Sequence, residues 1–166
     1  MIVGAMGVGK TSVGRLLADR LGLPFHDSDE ILQDWAGETG GEIAARDGVE
    51  RLHALELEVF LDVCERPEQG VIAPAASVAD HEAGRAAMAA NTTIWLKASA
   101  EILAARTAHR GHRREVSEAE RALLRARREP WYQEVSRFAV DTGERTPDEV
   151  VTKILGLLEA ESLIRP

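Results

Sequence analysis

Gly4-Ala5-Met6-Gly7-Val8-Gly9-Lys10-Thr11 fits the pattern G-x-x-x-x-G-K-[ST], and it stands between an apolar triplet, Met1-Ile2-Val3, and a stretch of helical period, Thr11 to Gly22. Pattern and setting agree, because this motif carries its meaning only between a strand and a helix. Glycines let backbone N–H groups close around phosphate oxygens, and the helix N-terminus that follows favours anions. Lys10 is expected to reach the β and γ phosphates, and the Thr11 hydroxyl to ligate Mg²⁺. The loop therefore predicts nucleoside triphosphate binding through Gly4, Gly7, Val8, Gly9, Lys10, Thr11 and Ser12.

Outward from this loop, short apolar runs alternate with longer segments of helical period. MIV, PFH, GVIA, TTIWL and RFAV read as strands. This alternation predicts a parallel sheet with helices on both faces. In Thr11 to Gly22 the residues Val13, Leu16, Leu17 and Leu21 share a face, and Gly22 ends the helix before Pro24. A second helix is expected from Val49 to Cys64, with Cys64 in the core. Thr39 is placed to cap a short helix over Gly40 to Arg46, another opens at Ser99, and the last begins near Pro147 behind Thr146. Thr107 to Ser117, rich in His, Arg and Gly, reads as a loop. No repeat or linker divides the 166 residues, so one α/β domain over 1–166 is expected.

Composition narrows the function classes. Apolar residues make up 45% of the chain and charged residues 29%, enough for a real core. No apolar run approaches the ~18 residues of a membrane span, and a single cysteine fits a reducing, cytoplasmic setting. With 20 Lys+Arg against 28 Asp+Glu, the net charge of -8 disfavours nucleic acid as a partner. Eight of the 17 arginines nonetheless fall at Arg106, Arg110, Arg113, Arg114, Arg121, Arg125, Arg127 and Arg128. Alone, that stretch reads equally well as a solvated Arg/Glu helix face.

The guanine-selecting N-K-x-D of signalling GTPases is absent. The strands GVIA and TTIWL end on Pro74 and Lys97 and not on an acidic pair, so the magnesium-side carboxylate has to come from the end of PFH. There Asp27-Ser28-Asp29 places two carboxylates at the carboxyl edge, where ligands bind in such sheets. In extended geometry both would face the same way, one toward Mg²⁺ and one toward an acceptor hydroxyl. The same Asp-Ser-Asp is also a common helix cap.

The chain resembles the shikimate kinases, small P-loop kinases of the nucleoside-monophosphate-kinase type, in GAMGVGKTSVGRLLADRLGLPFHDSDEIL, GGEIAARDGVERLHALELEV, TTIWLKAS, ARREPWYQEV and VDTGERTPDEV. The resemblance implies a five-stranded parallel sheet, a lid over about 107–118, an acceptor region over about 27–60, and transfer of the γ-phosphoryl of ATP to a ring hydroxyl. By the same resemblance Asp27 is the magnesium-side aspartate, and Asp29 binds the acceptor and serves as base. Arg113 contacts the transferring phosphate, and Arg128 grips an acceptor carboxylate. Glu56 matches the family's acid, and Arg106 and Pro147 match the residues that sandwich adenine. Pro147 also suits a plain helix start.

The acceptor side departs from the family. Pro74-Ala75-Ala76 stands for a glycine triplet, His53 for a second carboxylate-gripping arginine, and Arg113-Arg114-Glu115-Val116 for an arginine-proline-leucine-leucine lid. A histidine cannot form the bidentate fork of an arginine, and losing one charge-assisted contact costs about 1.5 to 3 kcal/mol. Such kinases also show a longer first strand than Met1-Ile2-Val3. The expectation is an ATP- and Mg²⁺-dependent kinase, monomeric or weakly dimeric, with a small polyhydroxylated acceptor. Shikimate is the default; another polyol, sugar acid or aminocyclitol, or an ATP-binding regulatory role, stands beside it.

Overall fold

The computed structural model describes residues 1–107 and 117–164. In chain order the elements are β1 (Ile2–Val3), α1 (Lys10–Leu21), β2 (Phe25–Asp27), α2 (Ser28–Ala36), α3 (Gly40–Asp47), α4 (Val49–Glu65), β3 (Val71–Ala73), a 3-10 turn (Ala76–Asp80), α5 (Glu82–Ala89), β4 (Ile94–Lys97), α6 (Ala100–Thr107), α7 (Glu118–Val135), β5 (Phe138–Asp141) and α8 (Pro147–Ala160). Local chemistry sets many of these boundaries. Thr39, Ser117 and Thr146 each accept the amide of a glutamate three residues on, and that glutamate's side chain reaches back to the cap amide, closing a capping box. The amide of Gly22, in left-handed conformation, bonds the last carbonyls of α1 and ends it where expected.

Every ladder among the described residues is parallel, but the five strands do not form the single five-stranded sheet that the resemblance implied. Among the described residues β1, β4 and β5 make one sheet in the order β1-β4-β5, and β2 pairs with β3 in a second. Ile2 pairs with Ile94, Ile94 with Phe138, and Asp27 with Ala73. β3 packs beside β1 without a ladder. β1 is two residues long and the chain leaves extended geometry at Gly4, too short a stretch to carry a ladder on both edges.

Alternation along the strands feeds two cores. Ile2, Ile94, Leu96 and Val140 pack with Val13, Leu17, Val151 and Ile154 of α1 and α8. Val3, Ile72 and Trp95 face the other way, onto Phe60, Val63, Met88 and Tyr132 of α4, α5 and α7. A third cluster, Leu32, Ile43, Leu55 and Val59, joins α2, α3 and α4. Cys64 packs at the edge of the second core and not inside it; burial pushes its thiol up to about 11. The 3-10 turn and α5 were not expected, because Glu82–Ala89 carries one large apolar residue, Met88, and so has no stripe to read. Among the described residues no helix is long and apolar enough to cross a membrane.

Candidate active site

The phosphate loop leaves β1 at Gly4 and enters α1 at Gly9, at φ of 146° and 102°. At Gly4 a β-carbon would stand 2.6 Å from the Leu96 carbonyl oxygen, so the loop lies on β4 only because that residue has no side chain. Lys10 Nζ donates to the Gly4 carbonyl at 3.0 Å and lies 3.5 Å from that of Ala5. Val8 is buried in the first core and its amide bonds the Ala5 carbonyl at 3.3 Å, whereas Thr11 and Ser12 are exposed at the start of α1.

The Thr11 hydroxyl donates to Oδ2 of Asp27 at 2.7 Å. Asp27 Oδ1 accepts the amide of Asp29 at 3.0 Å and so caps α2. The cap and the loop partner are thus two oxygens of one buried carboxylate. This changes the expected geometry of Asp29: α2 begins at Ser28, so Asp29 lies in a helical first turn and does not share an extended face with Asp27. The Thr11 and Asp27 oxygens are two hard donors at one point. Mg²⁺ commonly takes one or two protein oxygens and fills its shell with water and phosphate, so the pair fits that ion.

Beside the loop opens a cavity of about 430 Å³, lined by Gly40, His53, Glu56, Ala75, Ala76, Ser77 and Arg128 among others. Buried Glu56 accepts the Ser77 hydroxyl. The Ala75 amide is taken by the buried Ser28 hydroxyl oxygen at 2.7 Å. Ala75 sits at φ of -57°, and no residue from Pro74 to Ala76 has positive φ, so this wall needs no glycine to hold its path.

Arg128 is nearly buried, and its Nε and Nη2 bond the two oxygens of Asp80 at 2.9 and 2.6 Å. Arg127 Nη2 reaches Oδ2 of the same carboxylate at 2.7 Å. Burial works to raise the Asp80 carboxyl, but its bonds to Arg128 and then Arg127 outweigh that and hold it below the ordinary aspartate value. The value of His53 also falls, which for a base favours the neutral form: burial first, then the charge of Arg128, push it below 6.5.

Arg106 donates to the Thr142 hydroxyl at 3.1 Å and to the carbonyls of Thr142 and Gly143 at 2.9 and 3.0 Å, the loop that leads to exposed Pro147. Arg113 and most of the region over about 107–118 lie outside the described residues. Three residues escaped sequence reasoning. Thr142, buried, donates near the Val8 and Lys97 carbonyls at 3.3 and 3.2 Å and ties the phosphate loop to the end of β4. Tyr132 places its hydroxyl 3.4 Å from the Gly4 carbonyl and 3.2 Å from that of Ala76, between phosphate loop and cavity wall. The third is Asp80. Tyr132 and Thr142 lie in the stretches ARREPWYQEV and VDTGERTPDEV, but nothing local marks their partners, and Asp80 belongs to no such stretch.

A family model described as shikimate kinase matches residues 6–159. The shikimate kinase of Symbiobacterium thermophilum is 36% identical over 166 residues, covering 96% of this chain and 95% of that protein. That of Thermobifida fusca is 34% identical over 163 residues, with 96% and 94% covered. Among solved structures, a shikimate kinase from Acinetobacter baumannii in complex with shikimate matches with a TM-score of 0.92 at 28% identity, over 98% of this chain and 93% of that one. A deoxyadenosine kinase from M. mycoides, at a TM-score of 0.65 and 15% identity, shares the fold.

Proposed function

The chain belongs to the shikimate kinase family of ATP-dependent small-molecule kinases, and from that premise we propose that residues 1–166 act as one kinase domain whose acceptor, shikimate or a polyol of similar size, binds in the cavity lined by His53, Glu56, Ala75 and Ser77. The hydrogen bond from Thr11 to Asp27 carries the reading, because it brings the phosphate loop and the edge of β2 to one point.

The loop amides and Lys10 hold the triphosphate, with Lys10 exchanging its carbonyl partners for phosphate oxygens. Thr11 and Asp27 hold Mg²⁺ directly or through water; when bound, the ion offsets charge on the β and γ phosphates. Asp29 orients the acceptor hydroxyl and takes its proton as the oxygen bonds the γ-phosphorus and the bond to the departing ADP breaks. Arg106 and Pro147 flank the adenine, and the resemblance alone assigns Arg113 to the transferring phosphate. With its half-buried thiol the enzyme suits the cytoplasm, and we place it there as a monomer or weak dimer.

The test is ADP release with ATP and Mg²⁺ across shikimate, quinate, gluconate, inositols and aminocyclitols, against a control without acceptor. Shikimate-dependent release supports the reading. Release with another polyol alone moves the acceptor, and none with any, despite ATP binding, overturns the kinase assignment of the cavity.

A further inference from the structure

Among the described residues, the acceptor cavity offers no net positive charge to an anion. Among the described residues lining it, Arg128 is the sole lysine or arginine, and Glu56 and Glu120 are the acids. Glu120 is engaged in the capping box of α7, and Glu56 accepts from Ser77. His53 contributes no fixed cation, since burial keeps its imidazole mostly neutral at pH 7. The Nε–Nη2 side of the Arg128 guanidinium, one of the two edges on which it can grip a carboxylate in two parallel bonds, already carries the two oxygens of Asp80.

Asp80 is well placed to keep that position. It is the last residue of the 3-10 turn after β3, and Arg127, half-exposed one position before Arg128 on α7, bonds Oδ2 as well. The pair is largely removed from water, with the side chain of Arg128 10% and that of Asp80 13% exposed. At that depth a charge pair is screened far less than at the surface.

We propose that Asp80 is a specificity-determining residue: as an internal carboxylate that offsets the charge of Arg128 and fills its side-on edge, it competes with an acceptor carboxylate for that arginine, while an uncharged acceptor of the same shape enters without that competition. The proposal rests on the kinase reading of the cavity and adds the class of acceptor that the cavity favours, polyols without a carboxylate.

The experiment compares shikimate with its uncharged methyl ester, by calorimetric binding to the ATP-loaded protein without Mg²⁺ and by ADP release with Mg²⁺, in the unaltered chain and in Asp80→Asn. In the unaltered chain the ester is expected to bind at least as well as the acid. In Asp80→Asn the dissociation constant and KM of the acid fall about tenfold, those of the ester stay within about twofold, and kcat holds for both. Thermal unfolding shows whether the variant is folded. If it is not, the acid-to-ester ratio of the unaltered chain decides, and a preference for the acid of tenfold or more overturns the proposal. So does an Asp80→Asn variant that is folded but binds the acid no better, and so does failure of both compounds to bind. Binding of both in the expected order without ADP release overturns the kinase reading and leaves the role of Asp80 supported.

Discussion

The Thr11 hydroxyl donates to Oδ2 of Asp27 at 2.7 Å, while Oδ1 of the same side chain accepts the Asp29 amide at 3.0 Å. One carboxylate thus starts α2 and faces the phosphate loop, and substitutions can separate the two duties. Asparagine caps a helix about as well as aspartate but carries no charge. Asp27→Asn is expected to keep its melting temperature within a few degrees, lower turnover by at least about a hundredfold, and raise the Mg²⁺ needed for half-maximal rate. Asp27→Ala additionally loses the cap, about 1 kcal/mol. A Mg²⁺ titration of ADP release beside thermal unfolding checks both; an unchanged Mg²⁺ requirement in Asp27→Asn would remove Asp27 from the metal site.

Asp29 stands in the first turn of α2 with its amide already on Asp27, so a change to its side chain leaves the cap in place. Asp29→Asn is expected to lower kcat by about 10²- to 10⁴-fold with ATP affinity unchanged. Nucleotide affinity from fluorescence titration and kcat from ADP release separate the two effects. Full turnover in this variant is incompatible with a base at position 29.

Tyr132 places one hydroxyl between the carbonyls of Gly4 and Ala76, at 3.4 and 3.2 Å, and burial drives its pKa upward. Tyr132→Phe keeps the ring and removes the donor, so it is expected to cost about 1 kcal/mol in urea unfolding with the slope unchanged. A phenylalanine variant as stable as the parent would show that the hydroxyl does not hold these two segments together.

His53 predicts a pH effect of definite sign. Its pKa in the fold lies below the ordinary 6.5, through burial and then the charge of Arg128. As pH falls through 6.5 the unfolded chain takes up the proton before the folded one, so this group's contribution to stability falls from there down to the folded pKa and is level above. His53→Gln is expected to flatten the decline in unfolding free energy between pH 7 and pH 5. An equally steep decline in the variant would place the titrating group elsewhere.

Much of the fold is legible because it is written in neighbouring residues. A capping box spans three positions, a helical stripe repeats every three or four, and a phosphate loop needs its glycines within a single turn. Thr39, Thr146, Gly22 and the stretch Gly4 to Thr11 could therefore be read in place. The strand runs could also be read, since strands covered on both faces are apolar throughout. α5 could not, because an alanine-rich helix with one large residue leaves no period to detect.

By itself the sequence determined the phosphate loop, the order and direction of its main strands and helices, and the residues that resemble a kinase. Tertiary structure alone decided which charges meet. Asp80 lies 48 residues from Arg128, on a turn with no pattern of its own, and only the packing of that turn against α7 brings them within hydrogen-bond distance. The same holds for Tyr132, 128 residues from Gly4, and for the division of five strands into parallel sheets of three and two. Hydrogen bonds and ion pairs act over a few ångströms of space, and separation along the chain does not encode that distance.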